Sequence, residues 1–204
     1  MIKFVHSKEE MLKKAYELGE VYEARFGGCA PGSLLACMEI FGITNEEVYK
    51  ASTGFSGGLG VTTESQCGAL TGGLMFLGML FGRSFIGRGT DSFDFMQYKS
   101  FSLAQKLKSK FEEEYGSFIC GKIHESKLGR HYQLDDQEEL KDFMDAGCRP
   151  KCAEVVGLGA QWAVETALDE LAGLKDLESF DDLKTIMLYT AKDNYKKFLE
   201  DHKK

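Results

Sequence analysis

The residues best suited to chemistry in this chain are its six cysteines. Thiolates are soft ligands that suit zinc, copper(I) and iron–sulfur clusters. A compact zinc finger would show cysteine pairs close together in the sequence. Here only Cys148 and Cys152 form a pair, with three residues between them, whereas Cys29, Cys67 and Cys120 stand alone. Six cysteines are many for a reducing compartment, where they indicate metal binding or redox chemistry rather than structural disulfides. Their spacing alone does not indicate a ligand set.

The sequence around four of these cysteines strengthens this interpretation. Cys29 follows two glycines at a predicted helix start, and Cys67 lies near the start of another predicted helix. Cys120 is expected in a turn, and Cys152 at the start of the long helix that follows. A thiol at a helix N-terminus feels the positive end of the helix dipole, which favours the thiolate. Cys37 lies in an apolar run and is expected in the core.

The glycine-rich stretch 54–60 is a second candidate. It satisfies Gly-x-Ser-x-Gly, the nucleophile elbow of serine hydrolases, but that motif needs a preceding strand, and residues 46–52 are predicted to be helical. A P-loop is also disfavoured, because no Gly-Lys-Ser/Thr follows. We expect the backbone N–H groups of Gly57, Gly58 and Gly60 to form a concavity that binds an anion or donates hydrogen bonds to sulfur.

Two histidines follow Cys120 in a polar stretch, His124 and His131, and either could be a fourth metal ligand or an axial haem ligand. Exposed loop histidines are more often only solvated. The aromatic residues between Phe81 and Phe101 are expected in the core or at a dimer face. The apolar, glycine-spaced surface over 77–85 predicts a homodimer.

The elements that position these residues are predicted to be helices. There are only two prolines, which permits long helices, and capping boxes begin at Ser7 and Thr44. No sustained two-residue alternation indicates a sheet. We therefore predict an all-α, bundle-like single domain over 1–204, with a buried glycine-rich central helix. The predicted helices cover about 8–26, 31–41, 46–52, 64–82, 94–115, 137–146, 151–173 and 180–202, and residues 121–135 are predicted to be irregular.

Composition excludes some classes of function. The formal net charge of −7 argues against nucleic-acid binding, which needs a basic face. The N-terminus lacks the apolar stretch of a signal peptide. The most apolar run, over 70–86, is too short and too interrupted by glycine for a membrane helix. We expect a cytoplasmic protein that does not bind membranes.

Several of these segments together resemble one family. The segments are Gly28-Cys29-Ala30 before an apolar helix, the glycine loop ending at Gly60, and Cys67-Gly-Ala-Leu-Thr-Gly72. Gly116-Ser-Phe-Ile-Cys120 and Cys152-Ala-Glu-Val-Val follow in order. This pattern is similar to the C-GCAxxG-C-C family, whose members are described as redox-active and whose domain is related to part of the split-Soret cytochromes. The family's name is not spelled letter for letter at Cys29 or at Cys67.

The resemblance covers about residues 10–172 and leaves a helical extension over about 178–204. It implies a helical domain in which four thiolates converge to hold a redox-active iron centre, a [2Fe-2S] or [4Fe-4S] cluster, for electron transfer or redox sensing with a partner protein. The implied ligands are Cys29, Cys67, Cys120 and Cys152, with Cys148 as the alternative to Cys152. Covalent c-type haem is excluded because the chain has no Cys-x-x-Cys-His.

The sequence is also compatible with two other functions. One is a metal-free thiol–disulfide protein that cycles Cys148 with Cys152, or Cys29 with Cys67. The other is a structural zinc module or a partner-binding helical domain. The sequence indicates no catalytic residue and leaves open whether the protein is an enzyme.

Overall fold

The structure is a computed structural model that describes residues 7–83 and 91–172, with side chains for 7–83 and 96–172. Within these residues the regular secondary structure is helical, apart from one isolated antiparallel bridge between Gln66 and Ile119. The all-α prediction is confirmed. The α-helices of the described part are α1 (Lys8–Phe26), α2 (Cys29–Ile40), α3 (Glu46–Ser52), α4 (Gly68–Phe81), α5 (Asp91–Tyr115), α6 (Cys120–Leu128), α7 (Gln137–Asp145) and α8 (Cys148–Ala172), with a 3-10 helix, Thr53–Phe55, after α3.

Helix α1 begins at the predicted capping box. The Ser7 side chain accepts a hydrogen bond from the Glu10 N–H, and the Glu10 carboxylate accepts one from the Ser7 N–H. The buried face of α1 repeats every four residues, at Met11, Ala15, Gly19 and Glu23. This face packs on α8 so closely that a Cβ on Gly19 would lie 2.8 Å from the Val156 carbonyl oxygen. The contact places the end of α1, with Glu23, beside the first half of α8.

Helix α4 lies at the centre of the described helices and packs against α2, α5 and α8. Its glycines permit close approach. A Cβ on Gly72 would lie 2.2 Å from the Ala30 carbonyl oxygen of α2, and one on Gly73 would lie 3.0 Å from the Ala163 Cβ of α8. The predicted buried, glycine-rich central helix is confirmed.

The start of α4 differs from the prediction. The helix begins at Gly68, four residues later than expected. The residues before it pair with the segment before α6: the Cys67 N–H donates to the Phe118 carbonyl at 2.8 Å, and the Cys120 N–H donates to the Ser65 carbonyl at 2.9 Å. This pairing satisfies backbone groups that the first predicted turn would have used, and it holds Cys67 and Cys120 in adjacent segments.

Two further boundary predictions were wrong. The N-cap of α3 is Asn45, whose side chain accepts the Val48 N–H, so the capping box at Thr44 does not form. The stretch 121–135, predicted to be irregular, contains most of α6. The buried residues of α6 are Cys120, Gly121, Ile123 and His124. They lie in an otherwise polar segment, so the sequence gives almost no periodic signal of a helix. Cys120 is therefore the first residue of a helix rather than part of a turn.

The surface predicted to form a dimer face is partly core. Leu77, Leu80 and Phe81 are buried, whereas Tyr98 and Phe101 are exposed. Phe85 and the predicted helix over 180–202 lie outside the described residues. No helix in the described ranges has the length and apolar character needed to cross a membrane.

Candidate functional site

Four cysteines line one cavity of about 200 Å³. Each comes from a different part of the chain: Cys29 is the first residue of α2, Cys67 is the N-cap of α4, and Cys120 is the first residue of α6. Cys152 lies in the second turn of α8. Four helices therefore direct their N-terminal ends, and a thiol each, toward the same space. Cys37 lies apart in the core, where its thiol donates to the Ala160 carbonyl at 3.6 Å.

Cys148 does not line this cavity. It is buried in a small second cluster with Tyr132 and Phe143, against which Cys152 packs. Cys148 and Cys152 are four residues apart on α8, and only Cys152 reaches the cavity. Of the two cysteines that the sequence left as alternatives, the structure brings Cys152 together with the other three.

Glycine is required where the cysteines meet the surrounding backbone. A Cβ on Gly68 would lie 2.2 Å from the Cys29 sulfur, and one on Gly58 would lie 2.7 Å from the Cys120 Cβ. Distances below about 3.0 Å do not occur between real Cβ atoms and their neighbours. Gly68, the motif glycine after Cys67, thus leaves room for the thiol of Cys29. The two cysteine positions are therefore sterically dependent on each other.

The glycine loop contributes unequally to the site. Gly57 lines the cavity and donates its N–H to the Cys29 sulfur at 3.3 Å. Gly58 packs behind Cys120, and Gly60 is exposed with no atom within 4 Å of where its Cβ would be. We expected Gly60 to lie beside the cavity, but it is not part of the cavity lining. The loop folds back on itself through its own hydrogen bonds, which turn Gly60 outward.

The loop backbone has an uncommon conformation. All five residues over 57–61 have positive φ, including Leu59 at 73° and Val61 at 59°. Positive φ is rare for residues other than glycine and rarest for β-branched ones. Ser56, at the centre of the Gly-x-Ser-x-Gly match, follows the 3-10 helix rather than a strand. The nucleophile-elbow interpretation therefore fails on context, as the sequence indicated.

Burial keeps the cavity thiols protonated. It raises the pKa of Cys29 to about 12 and that of Cys67 to about 11, with the neighbouring thiol of Cys67 adding to the effect on Cys29. Burial and the nearby cysteines also raise the pKa of Cys120 and of Cys152. The sequence predicted thiolates favoured by helix N-termini, but desolvation outweighs that effect here. A positively charged ligand would lower these pKa values and favour the thiolates.

His124 lies in the same cavity, one turn after Cys120 on α6. Its side chain is buried, and its Nε2 lies 3.8 Å from the Cys120 sulfur and 3.9 Å from the Cys152 sulfur. Burial lowers the pKa of His124 to about 4, so the imidazole is neutral at pH 7. His131 is placed differently: its Nε2 lies 2.5 Å from the Thr63 hydroxyl, outside the cavity lining.

Glu23 is the site residue that the sequence analysis missed. Its carboxyl lines the cavity, burial raises its pKa, and its Oε2 makes no hydrogen bond. Arg149 lowers that pKa less than burial raises it, and its guanidinium donates to the Glu23 backbone carbonyl at 3.4 Å. The signal was present in the four-residue repeat of the buried face of α1, in which Glu23 comes four residues after Gly19.

The cavity holds unsatisfied polar groups as well as thiols. Three buried polar atoms without a hydrogen-bond partner belong to its lining: Glu23 Oε2, Ser56 Oγ and His124 Nδ1. The backbone of Tyr132 lies near the His124 ring and favours its protonated form, but Nδ1 makes no hydrogen bond. Buried polar groups are normally satisfied. This donor set fits a bound group that takes sulfur ligands and polar contacts.

A family model matches residues 27–166 of the chain, and its description is "Putative redox-active protein (C_GCAxxG_C_C)". The chain belongs to this family. The matched stretch contains the four cavity cysteines and begins after Glu23. No match was found among curated proteins or among solved structures. Within the described residues, no group of three or more His, Cys, Asp or Glu side chains is arranged to hold a metal ion.

Proposed function

We propose that this redox-active family member binds an iron–sulfur cluster, [2Fe-2S] or [4Fe-4S], through Cys29, Cys67, Cys120 and Cys152. The observation that carries the proposal is the single cavity lined by all four thiols. When bound, such a cluster accepts and releases electrons one at a time, at a potential set by burial and by hydrogen bonds to its sulfurs. The physiological role would be electron transfer or redox sensing.

The size of the cavity favours a cluster over a single zinc ion. One ion held by four thiolates needs every sulfur within about 2.3 Å of one point. A cavity of about 200 Å³ lined by all four cysteines has room for a larger group. The walls that exclude water are largely apolar and include Ile123, Phe143, Val155 and Val156.

The chain's own residues would tune and protect the cluster. The Gly57 N–H already points at the Cys29 sulfur, and such donors stabilise negative charge on ligating sulfur. Cys29 and Cys152 are only half-buried, whereas Cys67 and Cys120 are buried. Electrons would therefore enter from a partner protein on the side of Cys29 and Cys152. All six cysteines are free thiols, which suits a reducing compartment such as the cytoplasm.

Anaerobic reconstitution with ferrous iron and sulfide tests this function. We expect broad visible absorption in the wild-type protein and its loss in Cys29→Ser and Cys67→Ser. Cys37→Ser and Cys148→Ser are the matched controls, because neither residue lines the cavity, and both should keep the colour. A colourless wild-type protein that retains zinc would favour the structural zinc module. A colourless, metal-free protein that forms a disulfide between cavity cysteines would favour thiol–disulfide exchange.

A further inference from the structure

The imidazole of His124 lies between two of the cavity sulfurs. Its Nε2 is 3.8 Å from the sulfur of Cys120 and 3.9 Å from that of Cys152. These are hydrogen-bond distances for a sulfur acceptor, which is larger than oxygen, and the histidine is 3% exposed. One N–H shared between two acceptors is a bifurcated hydrogen bond.

The ring is held in this orientation by its neighbours. Phe143 packs against it with ring centroids 5.7 Å apart, and Tyr132 meets it edge to face at 6.3 Å. The backbone of α6 adds a second constraint, because His124 follows Cys120 by one helical turn. The position of Nε2 relative to the sulfurs is therefore set by packing rather than by chance contact.

The chemistry of ligated cysteine decides which tautomer can lie there. A cysteine that binds metal is a thiolate, which has no proton to donate. Two thiolates facing Nε2 therefore require that this nitrogen carry the proton. The other nitrogen, Nδ1, then carries no proton. No hydrogen bond to it forms in the structure, although the backbone of Tyr132 lies near the ring.

The remaining two sulfurs already have donors from the backbone. Cys29 receives the Gly57 N–H, and the N–H groups of Ala69 and Leu70 face Cys67 at the start of α4. For the sulfurs of Cys120 and Cys152, the N–H donor comes from His124 rather than from the backbone. With it, each of the four sulfurs has an N–H donor.

We propose that His124 is a positioning residue that donates one Nε2–H hydrogen bond, shared by the sulfurs of Cys120 and Cys152, and thereby raises the reduction potential of the bound cluster. The inference rests on the proposed function. Reduction adds negative charge that spreads to the ligating sulfurs, and a hydrogen-bond donor stabilises that charge. Removal of the donor should make the cluster harder to reduce.

The test compares midpoint potentials of the anaerobically reconstituted wild-type protein, His124→Leu and His124→Gln. Leucine removes the donor, whereas the glutamine amide N–H can replace Nε2–H. We expect His124→Leu to lower the reduction equilibrium constant at least tenfold, which is a shift of about 59 mV for a one-electron couple. His124→Gln should recover most of that shift. His131→Leu is the matched control, since that ring contacts Thr63 outside the cavity lining although it lies 6.4 Å from the His124 ring, centroid to centroid. Its shift should be small compared with that of His124→Leu.

Other outcomes separate this inference from the proposed function. A wild-type protein that binds no cluster overturns both. A wild-type cluster whose potential is unchanged in His124→Leu overturns the role of His124 alone. If His124→Leu fails to fold, pulsed EPR of the reduced wild-type protein with ¹⁵N-labelled histidine decides the question. A weak nitrogen coupling supports a hydrogen bond, while the strong coupling of a direct iron–nitrogen bond, or no coupling, overturns it.

Discussion

The sulfur of Cys29 lies so close to Gly68 that a Cβ on that glycine would be 2.2 Å from it. The two residues belong to different helices, and Gly68 directly follows Cys67. A side chain at position 68 would therefore displace the thiol of Cys29, so the residue after one cavity cysteine limits the position of another. This close approach also explains why a glycine follows the cysteine in this motif, since any side chain there would occupy the space of a thiol.

The first prediction concerns Gly68→Ala. The added methyl group must displace the Cys29 side chain, and overpacking of this kind costs about 1–3 kcal/mol. We expect a lower free energy of unfolding in urea and reduced iron uptake on reconstitution. Gly78→Ala is the matched control in the same helix, because its Cβ would meet no atom within 4 Å. The control should gain stability, by up to about 1 kcal/mol, from helix propensity. Equal stability of the two variants would contradict the steric argument.

The second prediction concerns the reactivity of Cys29 in the reduced, metal-free protein. Burial raises its pKa to about 12 from an ordinary value of 9.0, so its thiolate fraction at pH 8 falls roughly 1,000-fold. We expect slow alkylation of Cys29 by iodoacetamide in the native protein and fast alkylation in denaturant, followed by mass spectrometry. Equal rates in the two states would show that the thiol is not protected. Because metal displaces these protons, metal affinity should rise with pH.

The third prediction concerns Glu23→Gln in the metal-free protein. Burial raises the pKa of Glu23 above its ordinary 4.5, so ionisation destabilises the folded state as pH rises through and above that value. Glutamine cannot ionise. The free energy of unfolding of Glu23→Gln minus that of the wild type should therefore be larger at pH 8 than at pH 4.

Glu17→Gln is the control for this comparison, because Glu17 lies on the exposed side of the same helix with a 57% exposed side chain. Its effect should stay within about 0.5 kcal/mol at both pH values. The difference in the free energy of unfolding between Glu23→Gln and the wild type could instead stay constant or decrease from pH 4 to pH 8. That result would show that ionisation of the Glu23 carboxyl does not destabilise the folded protein.

The fourth prediction is the homodimer. Since Leu77 and Phe81 are buried, the expected contact surface is the pair Tyr98 and Phe101, whose exposed rings meet edge to face at 6.4 Å. We expect light scattering to give the mass of a dimer at micromolar concentration and that of a monomer for Phe101→Glu. A wild-type monomer at that concentration would contradict the prediction.

Local signals predicted part of this architecture well. The capping box at Ser7 depends on residues three apart, and α1 begins there. Low proline content and the apolar run of α4 indicated long helices and a buried centre, and both hold. The start of α4 was wrong because residues 65–67 pair with a segment some 50 residues later, and helix propensity contains no information about that partner.

The candidate site was harder to predict from spacing. Cys29 and Cys152 are over 120 residues apart, and only the family resemblance implied that they meet. The choice between Cys148 and Cys152 depends on which face of α8 turns toward the cavity, which a two-member pattern does not specify. Glu23 was missed because an acidic residue near a helix end is ordinarily solvated.

The most direct measurement of the central claim is the iron and acid-labile sulfide content of the anaerobically reconstituted wild-type protein and of its Cys152→Ser and Cys148→Ser variants. We expect two or four iron atoms per chain, with equal sulfide, in the wild type and in Cys148→Ser. Cys152→Ser should hold substantially less of both. A wild-type protein without iron and sulfide, or a loss confined to Cys148→Ser, would contradict the claim.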